Sequence, residues 1–363
     1  MQTNKPGRSR WNYIFIALTA AVMIWLLSQM QDPEQVLNTL RAADVRYMLA
    51  AVGCMVVFWW LESVLLRQIS HSFGQRLTRA ASFRVSMIGQ LFNNITPFAS
   101  GGQPVQAYEL ARYGVGYGES SCILLVKFVI YQLAMTLYAL VVTFIEYSFF
   151  SSRIPGFGLI IAVGFLTNIV ALSMITAVGF FPTATRRGLS ALVKLAARLH
   201  LARHPEELQR RVTAELDMFY VNFQHMRSRP QIIITPLLVT LAQMTVYFTI
   251  PFLIFRSLGI DNVEYAQVFS ATLFVFMVTS FIPAPGASGG AEGSFYWFLS
   301  IFIGNADLLL MTTVLWRVVT SYLPMGVGAC FYFTRKRARP HIKPLTRPAR
   351  ESSRSPRNDP SPE

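Results

Sequence analysis

A hexapeptide that breaks one apolar stretch of this chain returns 188 residues later and breaks another. Pro97-Phe98-Ala99-Ser100-Gly101-Gly102 recurs as Pro285-Gly286-Ala287-Ser288-Gly289-Gly290, with one position changed. The register holds beyond the six: Tyr108 falls on Tyr296, Gly116 on Gly304 and Glu119 on Asp307, with no gap. A register kept over roughly twenty residues points to two copies of one structural unit.

The chain around these copies is apolar. Crossing a bilayer takes roughly twenty apolar helical residues, and runs of that order occupy about 12–30, 47–66, 121–147, 157–181, 231–255 and 308–333. Only 14% of residues are charged, against about a quarter in soluble domains. The repeated segments behave differently. About 86–99 is too short to cross, is broken by Pro97 and Gly101-Gly102, and is followed by a second short piece, 103–112. The same order recurs over 266–303. A short segment, a Gly/Pro break and a second short segment describe a re-entrant hairpin, which hydrocarbon tolerates only when it is buried in protein or lines a wet cavity.

The distribution of Lys and Arg sets the topology. Of 32 such residues, 26 fall on segments that share a side with the N-terminus if both hairpins (about 86–112 and 266–303) turn back. Four (Arg41, Arg46, Arg153, Arg256) fall on the other side, and Lys127 and Arg317 lie within spans. That asymmetry assigns both termini to the cytoplasm. The expected fold is an all-α integral membrane protein with about six full transmembrane helices and two re-entrant broken-helix hairpins in an inverted repeat. A basic N-terminus (1–11) precedes the membrane domain (12–333). Inside that domain, 183–230 forms an amphipathic cytoplasmic linker of two helices, the first basic. A polar, basic and disordered tail (334–363) follows.

An inverted repeat of broken helices brings two helix ends together near the midplane. Each break ends in Ser-Gly-Gly, so Ser100 and Ser288 can cap while Gly101, Gly102, Gly289 and Gly290 let backbone N–H groups face one ligand. Such ends favour an anion, and the anion a bilayer supplies is a lipid phosphate. The glycines would equally let the chain reverse within a tight bundle. Lys127 and Arg317 are buried cations that need a partner or a wet cavity. Glu109 and Glu292, on the second limbs, can pair them or meet a cationic head group, and Gln90, Asn93, Asn94, Gln103 and Gln106 add amides around the first break. Glu62 and Glu146, near span ends, read as interfacial carboxylates.

Other chemistry finds little footing. Cys54, Cys122 and Cys330 are far apart within apolar runs, without disulfide or zinc spacing. His200 and His204 lie four apart with no third ligand nearby. There is no nucleophile–His–acid arrangement, nucleotide loop or metal cluster, so no catalytic residue, metal or cofactor is expected. The net charge of +14 reads as topology and attraction to anionic lipid, with no nucleic-acid partner.

The segments FNNITPFASGGQPVQAY (92–108) and SFIPAPGASGGAEGSFYWF (280–298) resemble the two signature segments of the lysylphosphatidylglycerol synthase transmembrane region, or flippase-like domain, over about residues 10–335. That region is the membrane half of the multiple peptide resistance factor, held to move lysyl-phosphatidylglycerol between leaflets. The resemblance implies a lipid translocase in a bacterial plasma membrane. It implies one site hairpin with Pro97, Ser100, Gly101, Gly102, Gln103 and Tyr108, and another with Pro285, Gly286, Ser288, Gly289, Gly290 and Glu292. The expected partners are membrane phospholipid and a second copy or a separate lipid-modifying enzyme. Full-length relatives continue into an aminoacyl-transfer domain where this chain has its tail, and many carry an arginine shortly after the first Gly-Gly, where this chain has Gln106. A phosphatidylglycerol lysyltransferase, which the family name implies, and a small-solute transporter, which inverted repeats also serve, are the alternatives.

Overall fold

A computed structural model describes residues 33–334, apart from 98–99, most of 199–230, and 280, 281, 283 and 285. The expected first span, the N-terminal segment, the tail, most of the second linker helix and Pro285 therefore lie outside the described residues.

The described chain is helical throughout its ordered elements. Helix α1 (Pro33–Ala42) leads into α2 (Val45–Ser72), α3 (Arg79–Ile95), α4 (Gly102–Arg112), α5 (Tyr117–Ser151), α6 (Phe157–Phe180) and α7 (Pro182–Arg198). After the linker come α8 (Gln231–Ser257), α9 (Tyr265–Thr279), α10 (Gly290–Leu299) and α11 (Ala306–Phe333). Local chemistry sets several boundaries. Asp44 caps α2 by accepting from Arg46 N–H at 2.8 Å, Thr78 caps α3 by accepting from Ala81 N–H at 3.1 Å, and Asn305 caps α11 by accepting from Leu308 N–H at 3.0 Å. Each gives an orphan N–H of the first turn an acceptor. At its other end α3 stops because Thr96 turns to an extended conformation, the one that the following Pro97 imposes. The Thr78 cap also starts α3 seven residues ahead of the apolar segment read from sequence, so the first limb is a longer, amphipathic helix that carries Arg79 and Arg84.

Helices α2, α5, α8 and α11 are each long and apolar enough to cross a bilayer, and α6 is an uncharged helix of 24 residues. Helix α8 continues through both Pro236 and Pro251. The chain is thus an all-α membrane protein. The paired limbs are shorter: α3 and α4 have 17 and 11 residues, α9 and α10 have 15 and 10. At 1.5 Å per residue even the longest reaches only about 26 Å, less than a hydrocarbon core of about 30 Å.

The 188-residue offset extends to whole helices. Shifted by it, α2 maps onto 233–260, α3 onto 267–283, α4 onto 290–300 and α5 onto 305–339, which match α8, α9, α10 and α11 in turn. The two long counterparts run antiparallel. Asp44 N–H donates to Ser257 O at 2.8 Å, joining the start of α2 to the end of α8, and Gln243 donates to Glu62 midway along both. Related helices that face each other in opposite directions are what an inverted repeat requires.

The core around this axis is aromatic. Phe150, Phe157 and Phe274 meet at centroid distances of 5.1–5.5 Å, and Phe248 meets Phe269 edge to face at 5.5 Å. These contacts supply van der Waals cohesion between helices where lipid removes the hydrophobic drive.

Impermeant thiol labelling of single-cysteine variants tests the arrangement. Arg76→Cys and Tyr117→Cys, which bracket the first hairpin, should react from one face of the membrane. Asn262→Cys and Gly304→Cys, which bracket the second, should react only from the other. A split within either pair would make that hairpin a crossing.

Candidate functional site

The two hairpin breaks touch. A methyl group built on Gly286 would come within 3.0 Å of the Asn94 carbonyl oxygen, at the end of α3. Gly286 has φ +56°, so both the backbone conformation and the close approach favour glycine there. The first hairpin closes in a similar way: a Cβ on Gly102 would sit 2.0 Å from Asn93 Oδ1 and 2.7 Å from Gly89 O. The missing side chain lets α4 start directly against α3.

Each hairpin is tied to a carboxylate–cation pair, one largely buried and one fully buried. In the first, Lys127 of α5 forms an ion pair with Glu62 of α2. Gln243 of α8 donates to the other carboxylate oxygen at 2.9 Å, and Lys127 Nζ donates to Gln106 Oε1 of α4 at 3.4 Å. Four helices therefore converge on one charge pair. In the second, Arg317 of α11 donates through Nε to Glu292 Oε1 at 2.7 Å, through Nη1 to Ser321 Oγ at 2.9 Å and through Nη2 to Gly286 O at 2.9 Å. Glu292 Oε2 accepts in turn from Gly289 N–H at 2.7 Å. Arg317 thereby ties the hairpin break to the span behind it. Its guanidinium also lies 5.4 Å from the Trp316 ring centroid, and Trp316 stacks on Phe295 at 4.1 Å.

A π-helical turn, Val318–Tyr322, follows Arg317 directly and carries the Ser321 hydroxyl that Arg317 uses. It precedes Pro324, which has no N–H to return to the preceding turn. Single π turns of this kind recur at functional sites.

Several expectations require correction. Glu62 is not interfacial. Helix α2 continues to Ser72, ten residues beyond it, which places the carboxylate about 15 Å from the helix end. Its side chain is buried. The polar residues Arg67, Gln68 and His71 made the helix seem to end too early, and a lone acid in an apolar run was the signal that should have marked it. Gln243 and Ser321 were missed for want of any local pattern. Glu109 is buried, but it pairs with Arg112 at 2.7 Å and not with Lys127. Neither serine caps its helix: Gly101 and Gly289 hold the cap positions, and Ser100 Oγ donates to Pro97 O at 2.9 Å.

The expected anion cradle is also partly filled from within. Gly101 N–H donates to Thr96 Oγ1 at 2.8 Å and Gly102 N–H to Asn93 Oδ1 at 3.0 Å. At the second break Glu292 takes the Gly289 N–H. Of the remaining residues, Gln106 is buried, Asn94 and Pro97 are half-buried, and Gln103 and Tyr108 are exposed. Ser288 and Gly290 lie half-buried at the second break. The structure thus brings Asn94, Gly286, Gly289, Glu292 and Arg317 together at the junction, joins Gln106 to Lys127 beside Glu62, and leaves Gln103 and Tyr108 at the surface.

An all-α membrane protein with two helical hairpins joined at their breaks, and a neutralised charge pair buried beside each, defines the class. Sequence comparison supplies the family. The sequence profile of the lysylphosphatidylglycerol synthase TM region matches residues 13–328, and the chain belongs to that family. It is similar to a UPF0104 membrane protein of Archaeoglobus fulgidus, with 26% identity over 317 residues that cover 87% of this chain and 93% of the relative. It is also similar to a UPF0104 membrane protein of Methanothermobacter thermautotrophicus, with 24% identity over 335 residues, 88% of this chain and 93% of the relative.

Breaking one pair should be costly because it strands a charge in low dielectric. Glu62→Gln is expected to lose about 3 kcal/mol, read as a lower thermal unfolding temperature in detergent. The double change Glu62→Gln/Lys127→Met should recover most of that loss, since both charges then disappear together. Additive losses would show that the two side chains do not act as a pair.

Proposed function

We propose that the protein is an integral membrane lipid translocase that moves an anionic or aminoacylated phospholipid, such as lysyl-phosphatidylglycerol, between the leaflets of the plasma membrane, with both termini in the cytoplasm. The observation that carries this reading is that each broken hairpin has its own carboxylate–cation pair, Glu62–Lys127 held to α4 through Gln106 and Glu292–Arg317 held to the second break through Gly286.

Lys127 and Arg317 are each already paired with a carboxylate, so neither cation is left bare in hydrocarbon. A phosphate that reaches Lys127 or Arg317 competes with the carboxylate already there. The carboxylate it displaces keeps other donors: Gln243 for Glu62 and the Gly289 N–H for Glu292. It can then face any ammonium the head group carries. Exchange of partners conserves the number of charge-assisted hydrogen bonds, which keeps the barrier to taking up or releasing a head group low. The inverted repeat gives each half its own station, so a head group can pass from one to the other without leaving a polar environment. Family membership supports lipid as the cargo.

The test is lipid movement in proteoliposomes, followed by chemical quenching of a labelled phospholipid in one leaflet. Lys127→Ala and Arg317→Ala should each slow movement more than tenfold while the protein remains folded. Wild-type rates in both variants would remove the stations from the mechanism. Formation of lysyl-lipid from charged tRNA by the purified protein would replace the translocase with a transferase.

A further inference from the structure

Away from the paired charges the described residues form an open cleft of about 730 Å3, lined by the later turns of α2, the start of α3 and the end of α11. Three arginines line it, Arg67, Arg79 and Arg84, between the aromatic side chains of Trp60, Phe83 and Phe331. Among the described residues none of the three forms an ion pair, and no carboxylate lies in the wall. Arg67 uses Nε on the Leu77 carbonyl at 3.3 Å, and the Arg84 guanidinium sits 5.8 Å from the Phe331 ring centroid. The terminal guanidinium nitrogens are thus available to an incoming anion. Below them the Ser63 and Ser82 hydroxyls are joined at 2.9 Å and link α2 to α3 across the floor of the cleft.

Basic residues at this end would follow from the topology bias alone. A cleft that gathers them between aromatic rings would not, and the repeat supplies a control within the same molecule. Displaced by 188, Trp60 becomes Phe248, Arg67 becomes Phe255, Arg79 becomes Gln267 and Arg84 becomes Thr272. Phe248 and Phe255 are fully buried. The second half builds the same helices but has no cation at these four positions, two of which hold buried phenylalanines. The architecture therefore does not demand the cleft or its charge.

We propose that this cleft is a loading site for the phosphodiester of an anionic phospholipid, taken from the leaflet at the end of the bundle that the arginine count assigns to the cytoplasm. Guanidinium groups match phosphate oxygens in a bidentate fork. Aromatic rings suit the level of the head groups, and the volume lies in the usual range of roughly 300–1,000 Å3 for ligand sites. With three cations and no carboxylate, the site selects a net negative head group over an aminoacylated one. It deepens the translocase reading, on which it rests for its role, by naming the cargo at the step of loading and the half that does it.

Lipid retention by the full-length protein in detergent, measured by native mass spectrometry, tests the site. Phosphatidylglycerol should bind at least tenfold more tightly than phosphatidylcholine or lysyl-phosphatidylglycerol. Arg67→Gln/Arg84→Gln should lose that preference by tenfold or more with phosphatidylcholine unchanged, Arg67→Lys/Arg84→Lys should retain more of it, and Arg153→Gln, at the other end of the bundle, should behave as wild type. Unfolding temperatures identify any variant that does not fold, and Trp60→Ala, at an exposed ring, should independently weaken phosphatidylglycerol several-fold. Binding within twofold of wild type in the glutamine pair, or an equal loss of both lipids, overturns the proposal. Full competition by soluble glycerol 3-phosphate also overturns it, because the ligand would then be a free phosphate ester. Selective binding without lipid movement would keep the loading site and remove the translocase, while movement with unaltered binding in the variants would do the reverse.

Discussion

Charge buried in a low-dielectric bundle has to be matched, and that requirement organises the protein. A lone ammonium or carboxylate among apolar helices costs several kcal/mol, so the chain folds only into arrangements that bring opposite charges together. Glu62 and Lys127 are 65 residues apart in sequence and bind α2 to α5; Gln243 and Gln106 add α8 and α4. Arg317 does the same for α11 and the second hairpin break. The polar contacts thereby select one packing of otherwise similar greasy helices, a role that van der Waals contact between apolar rings fills less specifically.

The same pairs leave both cations neutralised. In the translocase proposed above, a neutralised pair exchanges one partner for a head group, whereas a bare cation would bind an anion and hold it. The two stations are alike in chemistry and unlike in construction. One gathers its ligands from four helices, and the other uses a backbone carbonyl, a π turn and a carboxylate that also closes its own helix N-terminus. The inverted repeat thus preserved the backbone, while the side chains that carry charge were placed separately in each half. The basic cleft beside α2 and the phenylalanines at two of its counterpart positions express the same divergence.

The scaffold was largely legible in the sequence. Four of the expected spans reappear as long apolar helices, 157–181 reappears as α6, and the breaks fall at both Gly-Gly pairs. Pairing was harder to read. Glu292 with Arg317 was within reach of the sequence because both flank the second break. Glu109, read as a partner for a buried cation or for a cationic head group, instead pairs with Arg112 a single turn away on the same helix. Glu62 was misread because its helix continues past polar residues that looked like an end. The serine caps failed because the backbone N–H groups at each break found acceptors on Thr96, Asn93 and Glu292.

Periodicity, break residues and charge asymmetry are one-dimensional properties, and for that reason the sequence by itself determined the membrane class, the duplication and the expected sidedness. They follow from the length of apolar runs, from the conformational freedom of glycine and from the count of arginines on each loop. Which acid meets which base was decided only when helices distant in the chain packed side by side, because an ion pair depends on separation in space and on the solvent removed around it. The contact between Asn94 and Gly286, the partners of Lys127 and the open space beside Arg67 all belong to that second level.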